Sequence, residues 1–171
     1  VGIEVIKKML YRWETPFYDE GFDKIKVIKA VDPFWTETKY MSECWVAMNI
    51  AHNNPHHTLG VREHCIEAFD KAVKYKYPQI VRIAAKWHDI GKPYVKAFVD
   101  SKGNPCEQAH YYQHQCVGAW MSYGFGSITP YSAWLISTHM DPFMNTKYYR
   151  SLPDYLKRDI DILHEADLNA H

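Results

Sequence analysis

The sequence predicts an all-α domain: a helical bundle carrying one small hairpin-like loop. Three observations lead there. Apolar residues recur at steps of three and four in one stretch after another from Gly60 onward, which is the helical period. Turn-forming residues gather in a single polar excursion, Asp100-Ser101-Lys102-Gly103-Asn104-Pro105, next to the short apolar run Ala97, Phe98 and Val99. And 171 residues at 47% hydrophobic and 15% aromatic content are enough to build one core without staples.

Taken in order, Ile3, Ile6, Leu10 and Trp13 suit a short amphipathic helix, and 15–37, with Pro16, Gly21 and Pro33, suits irregular chain with an extended piece at Ile25 to Val31. A helix is expected from Thr38 to Ala51, with Met41, Cys44, Trp45 and Met48 on one face. Asn53, Asn54 and Pro55 then make a connector ending at His57. Val61, Cys65, Ala68, Ala72 and Val73 mark the next helix, closed by Pro78, and Ile80, Ile83, Ala84 and Trp87 the one after, stopped by Gly91 and Pro93. Beyond the hairpin, helices are expected at about 111–123, 128–140 and 153–169. Residues 1–52 read as an N-terminal helical extension packed on a core of 53–171, without repeats or low-complexity segments.

Twenty basic and twenty acidic residues leave no net charge apart from ten histidines, which argues against strong binding of duplex nucleic acid. A small polyanionic substrate stays open. No apolar run approaches the ~18 residues of a membrane span, and Lys7, Lys8, Arg12 and Glu14 interrupt the first helical stretch, so neither anchor nor signal peptide is expected. Cys44, Cys65, Cys106 and Cys116 form no CxxC pair and read as reduced thiols of a cytoplasmic protein. Since the chain begins at Val1, absence of targeting is a statement about these residues alone.

The informative residues are polar groups on apolar stripes, because burying them demands pairing, neutralisation or a metal. His64 lies three residues after Val61 and four before Ala68, and His88 follows Ile80 and Ala84 at steps of four. His114 stands three before Val117, His139 four after Leu135, and Asp167 extends the row Leu156, Ile160, Leu163. A single such His is ordinary; one His or Asp in each of five consecutive helices is how bundles assemble metal sites. Asp89, directly after His88, adds a carboxylate. Imidazole with carboxylate suits Mn, Fe, Co, Ni or Zn better than Mg. Six ligands exceed the need of one ion, and two ions sharing Asp89 would use them all.

This pattern resembles the HD superfamily of metal-dependent phosphohydrolases, whose signature of a His, a His-Asp pair and a distant Asp reads here as His64, His88-Asp89 and Asp167. Trp87-His88-Asp89-Ile90-Gly91-Lys92-Pro93 is similar to the family's core motif, and Leu163-His164-Glu165-Ala166-Asp167-Leu168 to its closing helix. Asn54-Pro55-His56-His57-Thr58-Leu59 and the loop from Asp100 to His114 resemble the HD domains attached to tRNA nucleotidyltransferases, standing alone here. His114 and His139 match the two intervening histidines of binuclear members. The likeness covers about Asn53 to His171.

The resemblance implies a phosphatase or phosphodiesterase acting on a nucleotide, cyclic nucleotide or nucleic-acid end. Two divalent transition-metal ions held by His64, His88, Asp89, His114, His139 and Asp167 would supply a bridging hydroxide, the alternative being a single ion held by His64, His88, Asp89 and Asp167. Asp89 and Lys92 are the expected catalytic residues, with Lys92 stabilising phosphoryl charge, although Lys92 reads equally as a cation offsetting a helix C-terminus. His57, Arg62 and His110 are candidate substrate contacts; His56, Lys96, Lys147 and Arg150 are further polar candidates, and Tyr148 and Tyr149 could stack on a base. Asp141 reads as the start of a turn and Asp161 as solvent-facing. Two other readings stay open: an HD-type di-iron oxygenase similar to myo-inositol oxygenase, and a non-catalytic, metal-stabilised nucleotide-binding module.

Overall fold

A computed structural model of the chain describes residues 37–55, 57–125 and 128–170. The expected helix at Ile3 to Trp13, the extended piece at Ile25 to Val31, and His56 lie outside the described residues. What is described is mainly helical: α1 (Glu37–Ala47), α2 (Val61–Lys74), α3 (Gln79–Trp87), α4 (Lys92–Val95), α5 (His114–Ser122), α6 (Pro130–Thr138), α7 (Asp141–Met144), α8 (Lys147–Ser151) and α9 (Asp154–Leu168). An antiparallel pair, β1 (Ala97–Val99) and β2 (Pro105–His110), forms the hairpin between α4 and α5. At its turn Asp100 Oδ1 accepts from the amides of Lys102 and Asn104, and Gly103 takes the positive φ of 86° that the reversal requires.

Helix α3 sits at the centre, packed on α2, α6 and α9, while α5 packs on α6. Its stripe Val81, Ala84, Ala85 and Trp87 is buried against Cys65, Ala68 and Ala72 of α2, Ala133 to Ile136 of α6, and Leu156, Ile160 and Leu163 of α9. Small residues on α2 and α3 let these helices approach closely; bulk comes from α6 and α9. Trp87 meets Phe125 at 4.7 Å and the edge of Trp45 at 5.4 Å, which fixes α1 to the bundle together with the buried Cys44 and Met48. All four cysteines are free thiols, and no helix among the described residues is long and apolar enough to cross a membrane.

Three boundaries depart from expectation, each for a local reason. Helix α1 ends at Ala47 instead of Ala51, because the carbonyls of Met48 and Ile50 accept from the amides of Arg62 and Val61, and Ala51 bridges to Gly60. The helix expected at about 111 begins at His114, after Gln113 in a left-handed conformation. Between α6 and α9, where loop was expected, Asp141 opens α7 and Thr146 caps α8 by accepting from the amide of Tyr149. Pro93 also does more than end a helix: it occupies the first turn of α4.

Gly91 sets how closely the turn after α3 approaches α5. A Cβ there would fall 2.1 Å from the carbonyl oxygen of His114 and 2.7 Å from the amide nitrogen of Gly118, both backbone atoms. Gly91→Ala is therefore expected to push α5 away and to destabilise the fold by about 1–3 kcal/mol, a fall in Tm of roughly 3–10 °C for a chain of this size. Thermal unfolding of the variant measures it.

Candidate metal centre

The side chains that the apolar stripes single out converge at one point. His64 comes from α2, His88 caps α3, Asp89 follows it in the turn, His114 opens α5, His139 caps α6, and Asp167 lies near the end of α9. The four imidazoles and Asp89 are buried, and Asp167 is 16% exposed at its side chain. Helix packing thus carries the arrangement, because each ligand stands where its helix meets the core.

Each ring is oriented by the same device. Nδ1–H donates to a backbone carbonyl: His64 to Ala170 at 3.1 Å, His88 to Ala85 at 2.8 Å, His114 to Tyr111 at 2.8 Å and His139 to Ile136 at 2.7 Å. A carbonyl can only accept, so the proton of each neutral ring sits on Nδ1 and the Nε2 lone pair faces inward. This is how metal-ligating histidines are held.

What gathers inside is a ring of acceptors. His64 Nε2 is 2.7 Å from Asp167 Oδ1 and 3.3 Å from His88 Nε2, and His88 Nε2 is 3.2 Å from Asp167 Oδ1 and 3.4 Å from Asp89 Oδ2. On the other side His114 Nε2 is 3.2 Å from His139 Nε2, and the two stand 3.3 and 3.9 Å from Asp89 Oδ1. Both Asp89 oxygens are buried; Oδ2 faces the Lys92 ammonium at 2.5 Å, and Oδ1 has no hydrogen-bond donor among the described residues.

Lone pairs this close in a dry interior require positive charge among them. The donor set fits divalent ions: His64, His88 and Asp167 form one group able to hold a metal, and Asp89, His114 and His139 another. Asp89 presents one oxygen to each. A third possible group, Cys65 with His88 and Asp89, has its thiol 3.9 Å from His88 Nδ1, the ring edge already turned to Ala85.

No family model, curated protein or solved structure matches the chain. The site therefore rests on its own geometry.

The electrostatics agree with a cation site. Burial alone would depress His88, but Asp89, Cys65 and Asp167 together raise it well above its ordinary value. Burial would raise Asp89 and Asp167; Lys92 and His88 hold the first well below the usual carboxylate range, and His88 with the adjoining His64 ring does so for the second. His139 is pushed down to about 3, first by burial and then by His88 and His114. Burial and Lys92 likewise push His57 down to about 3.

A pH optimum of stability follows for chelator-treated protein. Below 6.5 the unfolded chain protonates His57 and His139 while the folded one refuses until about 3, so stability falls with acidification. Above 6.5 the folded chain keeps a proton on His88 that the unfolded chain has lost, so stability falls as pH rises through the raised pKa. Unfolding titrations across pH 4–9 should show a maximum near 6.5, and saturating metal should erase the alkaline limb by replacing that proton.

Of the remaining sequence candidates, two lie beside the cage. Lys92 is buried with Nζ 2.5 Å from Asp89 Oδ2, and half-buried His57 packs its ring 5.0 Å from that of His64. Arg62 directs its guanidinium to Asn49 and Glu63, and His110 stacks flat on Tyr112. Lys96 donates to the Ala51 carbonyl and Asn53 Oδ1, Lys147 is exposed, and Arg150 donates to the Asn145 carbonyl. Tyr148 accepts from Trp134, and Tyr149 donates to the exposed Asp161. Asp141, half-buried, is pushed up to about 6 by burial.

The sequence reading passed over His52. It is 1% exposed, with Nε2 3.1 Å from Lys92 Nζ and 3.8 Å from Asp89 Oδ2. A signal was present: His52 continues the row Met41, Trp45, Met48 at steps of four, three and four. It lies within residues 1–52, so the N-terminal part supplies a wall of the site.

Proposed function

We propose that the chain is an HD-type metal-dependent phosphohydrolase acting on a phosphoester of a nucleotide, cyclic nucleotide or nucleic-acid end. The observation that carries the reading is the closed ring of acceptors, with Asp89 turned both ways and a buried ammonium at its side. The order of His64, His88-Asp89 and Asp167 along the chain supports the HD assignment, and His114 with His139 supports two ions.

Bound divalent transition-metal ions would supply a deprotonated water as nucleophile and a clamp for the non-bridging phosphoryl oxygens. The chain's own groups do the rest. His64, His88 and Asp167 would hold one ion, His114 and His139 the other, and Asp89 would join them, each imidazole kept from turning by its carbonyl. Lys92 places a positive charge where a phosphoryl oxygen would gain it in the transition state. His57, half-buried with its ring 5.0 Å from that of His64, would stand beside the substrate.

Phosphate release is the test, from nucleotides, cyclic nucleotides and phosphate-ended oligonucleotides, with Mn or Co, in air and without oxygen. Oxygen-independent release is expected. No release from protein shown to be metal-loaded overturns the hydrolase, and turnover that needs both iron and oxygen assigns the oxygenase chemistry instead.

A further inference from the structure

We propose that His52 is a positioning residue for Lys92, and that the pair forms a phosphoryl-oxygen subsite on the Asp89 Oδ2 side of the cage. The proposal rests on the phosphohydrolase reading and adds to it a residue that belongs to neither metal group.

Hydrogen-bond direction decides the role. His52 Nδ1 lies 2.7 Å from the carbonyl oxygen of Leu59, which can only accept, so the ring proton is on Nδ1 and Nε2 is an acceptor. The donor facing it is the Lys92 ammonium at 3.1 Å, and the same ammonium lies 2.5 Å from Asp89 Oδ2. Two acceptors set its direction, and of its three N–H bonds one is left for a ligand. A neutral imidazole orients an ammonium without cancelling its charge, whereas a second carboxylate would leave little for an anion.

His52 is itself braced. The Ala51–Gly60 bridge closes the segment that bears it, Tyr111 donates its hydroxyl to the His52 carbonyl, and His57 stacks on its ring at 3.9 Å. The Tyr111 ring, 5.4 Å from Lys92 Nζ, covers the ammonium on another side. The anion that fits such a lysine beside a metal cage is a phosphoryl group, bound by charge and one hydrogen bond.

Two variants separate positioning from mere structure. His52→Asn keeps a donor for Leu59 and loses the acceptor for Lys92; His52→Gln keeps an acceptor near the place of Nε2 and loses the Leu59 bond. In the full chain loaded with Mn or Co, His52→Asn is expected to keep its metal content while binding inorganic phosphate on the order of 10–100-fold more weakly, with a matching loss of kcat/KM. His52→Gln should stay within a few-fold of wild type. In metal-free protein, acetylation of Lys92 followed by peptide mass spectrometry should rise several-fold in His52→Asn and little in His52→Gln.

Wild-type phosphate affinity and Lys92 labelling in His52→Asn would overturn the proposal. So would the reverse ranking, with His52→Gln the damaged variant, since that marks a structural bond to Leu59. Metal lost in both variants would make His52 a ligand and overturn it as well, as would a metal-loaded wild type that binds no phosphate. A wild type that binds phosphate but releases none from any substrate removes the hydrolase reading, while the ranking of the variants still decides this one.

Discussion

Asp89→Ala is expected to strip metal from both groups at once and to bring phosphate release down to background. No other residue in the cage faces both groups: Oδ2 is 3.4 Å from His88 Nε2, and Oδ1 is 3.3 Å from His114 Nε2. Asp167→Ala, by contrast, removes a ligand from one group and should leave His114, His139 and Asp89 able to retain an ion. The Asp89 variant also isolates the buried Lys92, and breaking a buried ion pair from one side costs about 3–5 kcal/mol. Loss of the carboxylate's own desolvation and release of Lys92 toward solvent reduce that figure. Metal content by elemental analysis, alongside thermal unfolding, separates the effects: a folded Asp89→Ala that still carries two ions would refute the shared ligand.

Chelation of the wild-type protein is the second large effect. A metal held by the folded cage would have no preformed site in the unfolded chain, so removing an ion present at 1,000 times its dissociation constant is expected to withdraw about 4 kcal/mol. For a chain of this length that is a fall in Tm on the order of 10 °C. The acceptor ring acts through that dissociation constant, because without a cation the 2.7 Å contact of His64 with Asp167 and the 3.2 Å contact of His114 with His139 are left to protons alone. A melting curve indifferent to a strong chelator would mean that no cation stabilises the cage.

The helical architecture was legible in the sequence wherever a stripe was long. Leu156, Ile160 and Leu163 on α9 and Cys65, Ala68 and Ala72 on α2 are buried as their spacing requires. The same spacing drew His64, His88, His114, His139 and Asp167 to the point where the stripes meet, since a polar group on a buried face has nowhere else to go. What stayed hidden was set by tertiary hydrogen bonds. Helix α1 stops at Ala47 because the first amides of α2 take the carbonyls of Met48 and Ile50 just beyond it, a bond between segments that no local pattern records. His52 was obscured for that reason: it carries the helical period of a helix that has already ended. Short helices α7 and α8 depend on single caps and turns, too brief for any period to show.

His88 and His139 have one more consequence. Each is the C-terminal cap of a nine-residue helix, α3 or α6, and donates to that helix's carbonyl three residues back. The partial negative ends of two helices therefore converge on the carboxylates of the cage. On the phosphohydrolase reading, a phosphorylated molecule arriving before the metal would meet those carboxylates and helix ends, offset by Lys92 and by the proton that His88 retains. Arrival would then be ordered, with cations entering first to reverse the sign of the field and the anion following. Phosphate affinity should accordingly depend steeply on prior metal loading, and pre-equilibrating with phosphate should not slow metal uptake.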